Sequence, residues 1–329
     1  MVKLIHFLLL VLCMLSVPFF SLAQTPDSIT DASKIVDVDK AHSLFNNIIT
    51  NPAYTGIFGG HNILVNAGID KPFFNYDNLY SQRQYDIEYD VAFRKNRNNA
   101  VGASYSYLSE VTFVNSVYNL TYARNFDLTK NEKFYHKLRI GVSMSIGTIK
   151  GDWSKMTWWD QVDPAFGYIW GTIYSHPDTV YNNSYIKSDV GLWYHNPVFY
   201  FGLATKNLTQ PTTRFYRVSI IPREFNISAG GKINIGNDFA VHPSLNMTLV
   251  LGYEGKFSTY SPVVLGSYKN SYFFGFSYKD LNKITFHAGA VVFKNITFSA
   301  AYGISTNTDF NGIGYPAFVG GDIRINLKN

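Results

Sequence analysis

From residue 60 onward the sequence alternates. Across 138–148, Leu138, Ile140, Val142, Met144 and Ile146 fall on one side of an extended chain, and Arg139, Gly141, Ser143, Ser145 and Gly147 on the other. Across 84–93, Tyr85, Ile87, Tyr89, Val91 and Phe93 oppose Gln84, Asp86, Glu88, Asp90 and Ala92. The same pattern returns at 225–235 and 319–327. A period of two is the signature of a β-strand with two unlike faces. Continued along the chain, it predicts about fourteen strands, at 60–70, 79–93, 99–109, 113–126, 135–149, 183–194, 197–206, 223–235, 238–250, 256–268, 271–279, 283–293, 296–306 and 316–328. So many one-sided strands leave two architectures: a sandwich that buries its apolar faces, or a barrel that turns them outward into lipid.

Composition and export signals choose between them. Met1-Val2-Lys3 is basic, 4–20 is apolar without a charge, and Ser21-Leu22-Ala23 places small residues before a cut at Gln24. These 23 residues read as a secretory signal peptide; Pro18 and the small-residue exit argue against a retained anchor. The only cysteine, Cys13, lies inside this stretch after Val11-Leu12, the wrong place for lipidation, so the exported chain carries no disulfide. Charged residues are 16% and aromatics 17%. The charged share is well below that of ordinary globular domains. No later stretch is apolar for long enough to cross a bilayer as a helix. An exported, tyrosine-rich, sparsely charged chain of this kind points to an all-β fold, a transmembrane antiparallel barrel in an outer membrane, with a periplasmic β-sandwich as the competitor. The domain layout is 1–23 signal peptide, 24–59 periplasmic N-terminal segment with a short helix or plug, and 60–329 barrel. The scattered net charge of +5 gives no footing for nucleic acid.

An even strand number returns both ends to one side, and every second connection is then a short periplasmic turn. His195-Asn196, Gly236-Asn237, Lys269-Asn270 and Lys294-Asn295 are such turns. The longest connections, 150–182 and 207–222, fall on the opposite side, although 110–112 and 280–282 there are short. Tyr105, Tyr107, Trp193, Tyr194, Tyr268, Tyr272 and Tyr302 lie near strand ends, where amphipathic rings meet lipid headgroups.

Catalytic signatures are missing: the sequence holds no nucleophile elbow, P-loop, Rossmann glycine pattern or HExxH, and no cofactor or metal is expected. The eight histidines are dispersed, and His242 and His287 are expected on opposite sides of their strands. Asp86, Glu88 and Asp90 share one lumen face. They suit either a catalytic or calcium site, or an internal charge network with Arg94, Arg139, Lys187, Asp189, Lys232, Asp322 and Arg324; the network is expected, because unpaired buried charge is costly. In 150–182, Trp153, Trp158, Trp159 and Trp170 stand among Asp152, Asp160 and Asp163, with Pro164 following. These residues form either a partner-binding surface, together with Asn207 and Pro211 of the second long loop, or a lid folded into the barrel mouth.

Before the first strand runs LFNNIITNPAYTGIFGG, residues 44–60. Leu44, Phe45, Ile48 and Ile49 predict one face of a helix over 40–50, which Pro52 ends at Asn51. The segment then suits a plug at the lumen entrance, or a seal on the barrel rim. Phe45, Asn46, Asn51, Pro52, Ala53, Tyr54 and Gly56 resemble the N-terminal signature of the PorP/SprF family of Bacteroidota outer-membrane proteins, with Thr55 in place of an alanine. DWSKMTWWDQVDPAFG (152–167), ATKNLTQP (204–211) and Pro243-Ser244 resemble further family stretches. Val65-Asn66-Ala67-Gly68, Tyr302-Gly303 and 321–325 depart from it. The resemblance implies a non-enzymatic component of the type IX secretion system. It implies docking of secreted adhesin-type substrates at the cell surface for gliding or adhesion, and contacts with lipoproteins of the machine and with the bilayer. A porin or hydrophobic-solute transporter is the alternative, and a hydrolase built on the 86–90 carboxylates a third.

Overall fold

The computed structural model describes residues 47–72, 82–93, 98–110, 113–129, 135–152, 162–163, 167–168, 180–215, 217–251, 257–279, 283–293, 295–305 and 316–327. The barrel strands are β1 (His61–Pro72), β2 (Gln82–Ala92), β3 (Asn99–Ser109), β4 (Phe113–Asp127), β5 (Lys137–Asp152), β6 (Val180–His195) and β7 (Phe199–Lys206). They continue as β8 (Arg223–Gly231, extended by Ile233–Ile235), β9 (Phe239–Leu251), β10 (Phe257–Tyr268), β11 (Tyr272–Lys279), β12 (Lys283–Phe293), β13 (Ile296–Ser305) and β14 (Pro316–Leu327). Each pairs antiparallel with the next, and β1 pairs with β14 from His61↔Leu327 to Pro72↔Pro316. The sheet is therefore a closed antiparallel barrel of 14 strands. Closure leaves no unpaired edge in lipid.

The alternation read from the sequence is the alternation of the wall. Ile87, Tyr89, Leu120, Met144, Ile146, Ile186, Phe274, Phe286 and Ile323 are exposed on the outside, Leu120 by 69%. Between them Asp86, Glu88, Thr121, Asn119, Ser143, Ser145, Asp189 and Arg324 are buried inside. An apolar outside and a polar inside is what hydrocarbon selects, since lipid cannot solvate a hydroxyl or a charge. Trp193 is a correction: it is not a headgroup aromatic but points inward and is only 1% exposed, because its strand parity is that of Asp189 and Gly191. Tyr268, Tyr272 and Tyr302 do stand exposed outside.

The turns explain themselves locally. Lys269 and Asn270 both have φ of 50°. A tight two-residue hairpin demands such a pair of positive angles. Asn196 closes the β6–β7 turn by accepting the N–H groups of Val198 and Phe199, each at 2.8 Å. An Asn side chain does this readily because it reaches its own backbone two residues on. These turns lie on the rim that holds the start of β1 and the end of β14, the terminal rim. On the opposite rim, the two longest connections carry short ribbons where only loops were expected: 162–163 with 167–168, and Thr212–Phe215 with Arg217–Ile220. β8 is interrupted at Lys232, beside the point where the β9 register brings Pro243 opposite Gly231. Proline has no N–H to give the ladder. Lys232 N–H donates instead to Val198 O at 2.7 Å.

Candidate functional site

Before β1 the chain enters the barrel. The helix expected over 40–50 falls mostly outside the described residues, as do Phe45 and Asn46. What is described, Ile48–Thr50, is a turn. Asn47 Oδ1 accepts from Thr50 N–H at 2.8 Å, and Thr50 Oγ1 donates to Asn47 O at 2.9 Å. Side chains thus close this turn locally, while Asn47 O also accepts the Asn51 N–H at 3.1 Å, the bond of a single helical turn. The helical element is a 3-10 turn, Pro52–Tyr54, beyond the expected stop rather than before it. Asn51 Oδ1 caps it by accepting Ala53 N–H at 2.9 Å. Pro52 takes the first position, where a missing N–H costs nothing.

This inner segment is joined to the wall by six neighbouring strands. Ile48 N–H donates to Glu88 of β2 at 3.2 Å, and Thr55 Oγ1 donates to Thr121 of β4 at 2.9 Å. Arg139 of β5 donates through Nε to Ala53 O at 3.1 Å and through its other arm to Thr55 O. Asn51 Nδ2 donates to Leu192 O of β6 at 3.1 Å and reaches Leu203 O of β7 at 3.5 Å. Asn226 of β8 donates to Thr50 O at 3.1 Å. β3 adds no bond in this set but yields space. A Cβ at Gly102 would stand 3.1 Å from Thr55 Cγ2.

Glycines in the wall make the seat. A Cβ on Gly141 would lie 2.2 Å from Ala53 N, and one on Gly191 2.0 Å from Asn51 Oδ1. In the other direction Gly56, at φ +71°, brings the chain so close to β3 that a Cβ there would meet Ala100 Cβ at 2.2 Å. An apolar cluster completes the contact. The Tyr54 ring stands edge-on to Trp193 (5.1 Å) and to Phe58 (5.8 Å). Trp193 stacks on Tyr200 at 4.8 Å, and Arg324 lies over Phe58 at 4.6 Å. Both edge-on and stacked arrangements suit the ring quadrupoles, and the guanidinium suits a ring face. Each residue of the Asn51–Gly56 motif thus has a physical role. Asn51 is the cap and Pro52 the first-turn proline. Ala53 is small enough for the Gly141 notch, Tyr54 is an aromatic anchor, Thr55 bonds β4, and Gly56 allows a left-handed close approach.

The expected charge network divides into separate groups. Asp86 accepts from Ser106 (2.6 Å), Gln84 (2.7 Å) and Asn66 (3.1 Å), and Asp90 accepts from Asn62 at 2.7 Å. Glu88 takes Ile48 N–H, and the Arg324 charge acts on both Glu88 and Asp90. Asp189 accepts from Asn207 N–H (2.8 Å) and Ser143 (3.2 Å); Asp322 accepts from Ser299. Lys232 is remote from these, donating to Asn270 at the terminal rim at 3.3 Å. Arg94 lies outside the described residues. The three carboxylates accept from amides, a hydroxyl and a backbone N–H group. Among the described residues no group of three or more His, Cys, Asp or Glu could hold a metal ion. His242 and His287 face the same way, into the barrel, each against a serine: Ser267 at 2.9 Å and Ser277 at 2.8 Å.

Of the loop candidates, Trp153, Trp158, Trp159, Asp160 and Pro164 lie outside the described residues, and of Asp163 only the backbone ribbon is described. Asn207, at φ 55°, ties the base of its loop through Nδ2 to Pro222 O at 2.9 Å, and Pro211 O accepts Ile221 N–H at 2.9 Å. On the far side of Ile49 from the terminal rim, a cavity of about 450 Å³ of mixed polar and apolar lining is walled by β2 through β8. Sequence reasoning missed the seat itself: Gly102, Gly141, Gly191 and Gly202, with Trp193 and Asn226. Its trace was inward-facing glycines recurring on neighbouring strands.

Residues 37–317 match the family described as type IX secretion system membrane protein PorP/SprF. No curated protein matches the chain. Among solved structures, the chain is similar to the Ralstonia pickettii toluene transporter TbuX, at 10% identity over 85% of this chain and 93% of that one, with a TM-score of 0.47. The CymD monoaromatic hydrocarbon channel aligns at 12% identity over 86% and 92%, TM-score 0.49, and a Pseudomonas aeruginosa FadL homologue at 13% over 91% and 97%, TM-score 0.44.

Proposed function

The chain belongs to the PorP/SprF family of type IX secretion system membrane proteins, and we propose that within that outer-membrane machinery it is a non-catalytic docking barrel. It holds secreted adhesin-type substrates at the cell surface by the connections on the rim opposite the termini, chiefly 150–182 and 207–222. Its terminal rim faces the periplasm and meets lipoproteins of the machine there. The observation that supports this reading is the inner segment. A diffusion pore gains nothing from a chain hydrogen-bonded to six strands across its lumen. A protein that must present a fixed surface gains rigidity, because preorganised surfaces lose less entropy on binding.

The test is capture of the adhesin from the native host. With residues 153–164 deleted and the barrel still folded, adhesin recovery with the purified barrel falls at least tenfold; unchanged recovery removes the loop assignment. Catalysis has its own test. Converting Asp86, Glu88 and Asp90 to their amides leaves secretion and surface display in place if they are structural acceptors, and abolishes a hydrolytic activity if one exists.

A further inference from the structure

The cavity beyond Ile49 carries chemistry that docking does not use. Its volume is about 450 Å³. Small-ligand sites commonly span about 300–1,000 Å³. Ile49 of the inner segment lines its floor, so access is from the rim opposite the termini. Two lysines enter it from neighbouring strands, Lys187 of β6 and Lys206 at the end of β7. Among the described residues, neither ammonium group has a hydrogen bond or an ion pair. Lys206 and the carboxylates Asp189 and Glu224 all stand near enough to Lys187 to act on its charge.

Those carboxylates have other work. Asp189 is committed to Asn207 N–H and Ser143, and Glu224 lies within 3.5 Å of Asn207 Nδ2. Asp189 and Glu224 line the same cavity, Glu224 directly across from Lys206, yet neither forms an ion pair with a lysine among the described residues. Two ammonium groups with open donors favour an incoming carboxylate, since charge-assisted hydrogen bonds are about twice as strong as neutral ones. The rest of the lining suits a polyhydroxylated ligand. Tyr185 donates to Asn115 Oδ1 at 3.1 Å. That leaves the Asn115 amide nitrogen as a further donor. Glu224 offers its second carboxylate oxygen, the one not facing Asn207, as an acceptor on the same wall. We propose that this vestibule binds a small sugar acid, its carboxylate held by Lys187 and Lys206 and its hydroxyls by the amide and carboxylate groups around them. The site does not depend on the docking role, and it requires no other component of the secretion machine.

The experiment is calorimetric titration of the detergent-purified full chain with three probes: glucuronate, glucose and acetate. The proposal expects glucuronate to bind at least tenfold more tightly than either of the others. Lys187→Gln with Lys206→Gln lowers glucuronate affinity at least tenfold, and Lys187→Arg with Lys206→Arg retains most of it. Folding of each variant is checked by heat-modifiable mobility on a gel; if the double variant does not fold, each single variant must lower the affinity at least threefold. Equal binding of glucose shows that the lysines are not used and overturns the proposal. Equal binding of acetate reduces the site to a general carboxylate trap and overturns the sugar assignment. Undetectable glucuronate binding, or full binding by folded lysine variants, overturns it as well.

Discussion

At the scale of single residues, the inner segment is held by atoms that have no room to move. Gly141→Ala puts a methyl group 2.2 Å from Ala53 N, a distance real Cβ atoms do not show, so either the inner segment lifts or β5 bends. Overpacking of this kind costs about 1–3 kcal/mol. The urea midpoint of the barrel in lipid vesicles, followed by tryptophan fluorescence, is expected to fall accordingly; an unchanged midpoint means the segment does not sit in this seat. Arg139→Met removes both donors that hold Ala53 O and Thr55 O while keeping the aliphatic bulk. Leaving buried acceptors unsatisfied costs about 1–3 kcal/mol each. Lysine is expected to restore little, since one ammonium cannot reproduce the guanidinium fork. Trp193→Ala empties the space between Tyr54 and Tyr200. By the same measurement it is expected to cost about 3–5 kcal/mol.

At the scale of elements, strands were legible and the seat of the inner segment was not. The span 99–109 and the span 283–293 coincide with β3 and β12, because alternation and turn residues bound them on both sides. β8 was legible as one strand, and its interruption was not, since the cause is a proline on its neighbour. The inner segment was legible as a plug or a rim seal, and the helix expected over 40–50 lies mostly outside the described residues. Its seat was not legible, because it is built from six strands distant in sequence. Function at this scale is obstruction. Wild-type barrel in a planar bilayer is expected to give no steady conductance, and deletion of 47–58 is expected to open a persistent channel, because the β1–β14 closure begins at His61 and does not need the segment. A steady channel in the wild-type protein, or silence after the deletion, argues against an obstructing segment.

At the scale of the whole molecule, every role rests on which solvent each face meets. A water-soluble barrel would hide the apolar set and show water the polar set. An outer-membrane barrel does the reverse. The apolar outside with carboxylates within is the pattern found. Sequence patterning reaches this far because a one-residue slip would move every side chain to the wrong face. It could not reach the interior, where hydrogen-bond partners are set by register between strands rather than by order along one. The direct test is a nitroxide scan of residues 139–147, one site at a time, in reconstituted outer-membrane lipid. Collision with oxygen, which dissolves in hydrocarbon, is expected to peak at 140, 142, 144 and 146, out of phase with any collision from a water-soluble nickel complex. Low collision with both reagents at those four positions would mean that the apolar face is packed against protein, and would contradict the barrel.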